Sequence, residues 1–90
     1  MQLPAAVTLE QASASLRLLD DGLALAGVSA LRIDATALRE FDSSALALLL
    51  EAQRRVKAQG GSVVVVGAPP KLIELARLYG LNQLLSLEPA

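Results

Sequence analysis

Two places in the chain carry side chains that could do chemistry: Asp34, at the end of an aliphatic stretch, and the run Asp42, Ser43, Ser44 a short way beyond it. The absence of both His and Cys narrows what that chemistry can be. It removes the commonest general base near neutral pH, the thiol nucleophile and the usual transition-metal ligands. A Ser43 nucleophile has no imidazole to activate it, and an Asp34–Asp42 carboxylate pair is not accompanied by a set of pocket polar residues. No catalytic group, metal site or cofactor is therefore expected. What Asp42, Ser43 and Ser44 do well is open a helix, either as plain caps or as contact positions as well. Ser43 lies at or beside the N-cap, where unpaired N–H groups and the positive end of the helix dipole favour a negative group. A phosphate on Ser43 would gain those interactions against repulsion from Asp42, and its charge would expel a partner from an adjoining apolar surface.

Composition sets the background. Of 90 residues, 53% are hydrophobic and only 2% aromatic, so the core must be aliphatic. At this length folding hides somewhat over ~60% of the surface exposed by the unfolded chain, enough for one small domain spanning residues 1–90. The formal net charge of -1 and the lack of any basic block argue against a nucleic-acid partner. No basic n-region opens the chain and no apolar run approaches the ~20 residues of a membrane span, so neither a secretory signal nor direct membrane insertion is expected. A mean hydropathy of +0.48 nevertheless demands either a sheet buried on both faces or apolar surface meant for a partner.

The elements that must position the chemistry follow from periodicity. Residues 2–7 read as a short first strand. Thr8 and Gln11 form a capping box, with the Thr8 hydroxyl capping the helix and Gln11 reaching back. Leu9, Ala12, Leu16, Leu19 and Leu23 then give the stripe of a helix with one buried face, which stops either near Leu19, before Asp20, Asp21 and Gly22, or at Gly27. Residues 28–35 alternate as a strand, 36–40 make a turn, and Phe41 docks beneath the next helix, 45–59, which Gly60 and Gly61 end. This helix starts more apolar than one buried face requires: Leu46 and Leu49 gather on one side, while Leu48 and Leu50 lie toward opposite flanks, as core or as interface. Val63, Val64, Val65 and Val66 suit a central strand covered on both faces. Pro69 and Pro70 punctuate the chain, and Pro70 fits a first helical turn. Leu72, Leu75, Ala76 and Tyr79 form a third stripe that Gly80 ends; the Tyr79 ring either packs on that stripe or anchors a partner. Residues 81–87 add a helical turn or an edge strand, and Pro89 and Ala90 fray. Strand and helix alternate three times, which predicts an α/β domain with a mostly parallel sheet and right-handed crossovers.

The segment from Leu31 to Leu46, with Asp34 closing a strand and Asp42, Ser43, Ser44, Ala45 and Leu46 opening a helix, resembles the signature of STAS domains, the anti-sigma-factor-antagonist-like fold. Gln59, Gly60 and Gly61 before a Val strand, and the ending Leu75, Ala76, Arg77, Leu78, Tyr79, Gly80, Leu81, are most similar to the MlaB-like STAS subunits of Mla phospholipid ABC transporters. Ala45 stands where the family usually has Gly, and the N-terminal region is shorter than in typical members, which leaves a reduced sheet edge for a partner or a second copy to cover. The resemblance implies a non-enzymatic subunit, cytoplasmic and peripheral to the inner membrane through its partner. That partner is an MlaF-like ATPase, joined through it to the membrane permease complex, in the upkeep of outer-membrane lipid asymmetry. The docking surface it implies is Asp42, Ser43, Ser44, Ala45, Leu46, Ala47, Leu48 and Leu50, with Pro69, Pro70 and Ile73 beside it and Asp34 in support. The alternative within the same family is an anti-sigma-factor antagonist gated by phosphorylation of Ser43.

Overall fold

A computed structural model describes residues 2–26 and 30–89. In chain order these are strand β1 (Ala6–Val7), a 3-10 turn (Leu9–Gln11), helix α1 (Ala12–Ala26), strands β2 (Ala30–Asp34) and β3 (Glu40–Phe41), helix α2 (Ser43–Lys57), strand β4 (Ser62–Ala68), helix α3 (Pro70–Leu78) and strand β5 (Leu87–Pro89). Every pairing is parallel: β1 with β3, and the three-stranded order β2-β4-β5. The α/β class and the parallel sheet are those expected from the alternation of periodicities.

Register explains which side chains meet. Leu31 lies opposite Val63 and Ile33 opposite Val65. All four are buried, and they form one floor of a core with Leu49, Ala52 and Val56 of α2 and Leu72 and Ala76 of α3. Arg32, Val64, Asp34 and Val66 occupy the other face, where Val64 and Val66 are only half-buried and Arg32 is exposed. The Val run is central in the sheet but is not covered on both faces. Part of the aliphatic surplus thus sits on a half-open sheet face.

The ends depart furthest from the sequence expectations. The first strand is reduced to Ala6–Val7, with a separate bridge from Gln2 to Asp34. The Leu3 N–H donates to the Asp34 carbonyl, and the Ala5 carbonyl accepts from both Arg39 and Glu40, so the segment crosses from β2 to β3. Glu40, expected at the end of a turn, forms a strand with Phe41, because that crossing gives their backbone a partner. At the other end residues 82–84 turn and Leu87–Pro89 adds an edge strand, with Pro89 opposite Ala68 instead of frayed. Pro is tolerated there because an edge strand leaves one row of backbone groups unpaired.

Helix α1 runs on through Asp20, Asp21 and Gly22 to Ala26. The helix-weakening Gly costs about 1 kcal/mol, and Asp20 pairs with Arg55 of α2, which ties the second half of α1 down. The expected stripe is only partly inward: Leu19 is fully buried, whereas Leu9 and Leu16 are 74% and 41% exposed. The Ala12 and Leu23 side chains, Gly27, the start of the strand at Val28, and Ala90 lie outside the described residues.

At the ends of β2 and β4 the chain is under a tight constraint. Gly67 has φ of +67°, and a Cβ there would overlap Cγ2 of Thr36. Thr36 is itself fixed, since its N–H and hydroxyl both donate to Asp34 at 2.9 and 2.6 Å. Gly67→Ala is expected to cost about 1–3 kcal/mol through left-handed backbone strain and overpacking. Adding Thr36→Ser, which deletes Cγ2, should restore part of that loss in urea denaturation; a double variant no more stable than Gly67→Ala would locate the whole cost in the backbone.

Candidate docking site at the start of the second helix

The site begins with a carboxylate. Asp42, and not Ser43, is the N-cap of α2: its Oδ1 accepts from the Ser44 N–H at 2.8 Å, and the backbone at Asp42 is extended. Its Oδ2 accepts from the Leu9 N–H at 3.1 Å. One side chain therefore caps α2 and also takes an orphan donor at the turn that opens α1. The Thr8–Gln11 box is correspondingly half-formed. The Gln11 amide oxygen accepts from the Thr8 N–H at 3.1 Å as expected, but the Thr8 hydroxyl donates to that same oxygen instead of capping the helix.

These bonds set the charge state. Acceptance from Ser44 and Leu9 holds the Asp42 carboxyl below its ordinary value, and acceptance from Thr36 does the same for Asp34. Both are ionised, locally satisfied carboxylates, suited to holding backbone and poor as proton donors. Among the described residues no three acidic side chains are placed to hold a metal ion.

With Asp42 as the cap, Ser43 falls in the first turn with its side chain exposed. Ser43, Leu46, Ala47 and Leu50 of α2 line one wall of an apolar groove of about 400 Å³, and Tyr79 and Leu81 line the other. The second wall is built by the way α3 ends. Gly80 takes φ of +71°, its N–H donates to Arg77 O at 3.0 Å, and the Leu81 N–H donates to Ala76 O at 2.7 Å. This Schellman closure turns the chain back on itself and lays Leu81 against the core. The segment then continues along α2, where Gln53 donates to the Leu84 carbonyl. Tyr79 is 58% exposed and Leu78 79% exposed, so aromatic and aliphatic surface faces solvent beside the groove.

The expected docking residues separate into two groups. Ala45, Leu46 and Leu48 are at most 5% exposed and belong to the core; of these only Leu46 also reaches the groove. Ser43, Ala47 and Leu50 remain as surface. Pro69, Pro70 and Ile73 sit at the start of α3 and do not line the groove, because it is the C-terminal end of α3 that meets the start of α2. Leu81 is the groove residue that periodicity could not supply, since a Schellman turn, and no helical spacing, places it.

The basic face of α2 lies at its other end. Arg54 and Arg55 both donate to Glu51, and Arg55 also pairs with Asp20. Bonds from Arg54 and Arg55 bring the Glu51 carboxyl down to about 2. Asp34, Asp42 and Glu51 all have folded values below their unfolded ones. Each contributes stability that is complete above ordinary carboxylate values, about 4, and is lost as pH falls through the depressed value. Thermal melting should therefore shift downward from pH 5 toward about 2. In Asp42→Asn that shift should be smaller, and the Leu9 and Ser44 amides should exchange faster at pH 7; wild-type exchange at both amides would show that the shared cap is dispensable.

A family model described as Mlab, STAS domain matches residues 1–87. No curated protein matches the chain. Among the described residues no helix is long and apolar enough to cross a membrane. The match covers the first-strand region, the Asp42 cap and the groove and ends at the first residue of β5, and the chain belongs to the MlaB-like STAS domain family.

Proposed function

We propose that this chain is a non-enzymatic subunit that docks on the ATPase of an ABC phospholipid-transport complex and supports its assembly or activity. One observation carries the reading: an open apolar groove, lined by Ser43, Leu50, Leu81 and the exposed Tyr79, lies at the helix start that bears the family's signature. Apolar surface of this kind on a small domain marks a contact site, and an aromatic with a polar tip at its rim is a frequent interface anchor. Such a module acts by preferring one conformation of its partner, and it shifts that equilibrium only by its difference in affinity. Through the ATPase the subunit would sit at the inner membrane, beside the permease.

An anti-sigma-factor antagonist gated at Ser43 is the second reading, favoured by the exposed hydroxyl in the first turn of α2. Asp42 counts against it, because its carboxylate already holds the cap and would repel a phosphate next door. Intact-mass measurement of protein from native cells separates the two: a phosphoserine at Ser43 favours the antagonist.

Affinity purification with the cognate ABC ATPase tests the first reading, and failure to recover a complex sinks it. Ser43→Glu places a charge in the groove wall and Tyr79→Ala removes the aromatic anchor; each should weaken the complex at least about 10-fold, or ~1.4 kcal/mol. Circular dichroism should show both variants folded. Unfolding of Ser43→Glu would make that position structural instead.

A further inference from the structure

We infer that the docking surface has a second, acidic half, and that the partner segment it receives joins aliphatic side chains to a Lys or Arg. This inference rests on the docking reading above and specifies the chemistry of its partner. On the other side of the Asp42–Ser43 corner from the apolar groove lies a depression of about 400 Å³ lined by Thr8, Leu9, Glu10, Gln11, Glu40 and Asp42. Three of its six lining residues are carboxylates and none is basic. The two hollows meet at consecutive residues, since Ser43 lines one and Asp42 the other.

Within the described residues the charges in this half are not paired with opposite ones. Among the described residues, Glu10, Glu40 and Asp42 have no ion-pair partner, whereas Glu51 and Asp20 do. The Arg39 guanidinium, beside Glu40 in sequence, donates to the Thr36 and Leu38 carbonyls. The basic residues of α2 lie in its last turns; from Ser43 to Arg54 the helix rises about 16 Å at ~1.5 Å per residue, roughly two Debye lengths at physiological salt. A net charge of -1 thus conceals a negative corner next to an apolar groove. The carboxylates are not grouped to hold a metal ion. A side-chain cation is the complement that fits, and it would sit against the exposed Leu9, over which the stem of a Lys or Arg can pack. Opposed charges of this kind chiefly raise the association rate and fix orientation, while the groove supplies the apolar contact.

The test measures affinity and association rate of the full chain for the cognate ABC ATPase at about 50 mM and about 500 mM salt, a range over which screening removes most of the field of exposed charges. Glu10→Gln with Glu40→Gln should lower the affinity at least about 10-fold at low salt, mostly through the association rate, and by no more than about 2-fold at high salt. The melting temperature should stay the same or rise, because like charges have been removed. Glu74→Gln with Glu88→Gln, an equal charge change on α3 and β5, should leave binding unchanged. If wild-type protein does not bind the ATPase, the docking reading fails and takes this inference with it. If it binds and the Glu10, Glu40 variant matches wild type at both salt concentrations, or the Glu74, Glu88 variant loses as much, the acidic half plays no part and this inference alone is overturned. A dimer of the free chain that Tyr79→Ala dissociates would assign the face to a second copy and overturn it as well.

Discussion

The Asp42 carboxylate is the interaction on which the arrangement of the site depends. Its two oxygens accept from the backbone N–H groups of Ser44, at the start of α2, and of Leu9, 33 residues before Asp42 at the turn that opens α1. Each helix start leaves donors that the helix itself cannot satisfy, and a single ionised group answers for both. The consequence is geometric. With Asp42 committed to capping, Ser43 is free of that duty and turns outward onto the groove, and Leu9 is held at the acidic corner.

Packing does the rest. Leu49, Ala52 and Val56 fix α2 on Leu31, Ile33, Val63 and Val65. Once that face is committed, Ala47 and Leu50 are left outside the core, and the closure of α3 at Gly80 brings Tyr79 and Leu81 up to them. The groove is thus the unburied margin of an amphipathic helix that is more apolar than its seat requires. The opposite end of α2 is held differently: Arg55 bridges Glu51 and Asp20, so α1 is joined to α2 by Asp42 at one end and by an ion pair farther along. Exposed ion pairs are worth little individually, and this one holds the second half of α1 beside α2 where the helix continues past Asp20, Asp21 and Gly22.

Much of this was legible in the residues. Alternation at β2, the β-branched run of β4 and the Asp-Ser-Ser start of α2 are local signals, and the elements they indicate are present. The role of Asp34 is local in the same way, because a carboxylate at a strand end reaches the next turn without help from the rest of the fold. What escaped depends on distant partners. Ser43 and Asp42 are equally good caps by type, and only the Leu9 N–H, far away in sequence, shows why Asp42 holds the position. Glu40 and Phe41 carry no strand pattern and become a strand because the N-terminal segment passes beside them. Leu48 and Leu50 flank the same stripe of α2; Leu48 shares a side with Arg55, which pairs with Asp20 of α1, and is buried, whereas Leu50 shares a side with Gln53 and lines the groove. The meeting of the start of α2 with the end of α3, in place of its beginning, likewise joins residues distant in sequence and has no signature in spacing.

The surface thus combines an aliphatic-aromatic groove with a carboxylate-lined corner on one edge of the molecule, and it leaves the half-open outer sheet face and the exposed side of α1 elsewhere. The most direct measurement of whether that edge is the one in use is hydrogen–deuterium exchange of the chain alone and with the cognate ABC ATPase. The account predicts slowed exchange in the first turns of α2 and at residues 78–81, with the Arg54 end of α2 and the outer face of β4 unchanged. Protection confined to β4 or to the Leu16 face of α1 would contradict it.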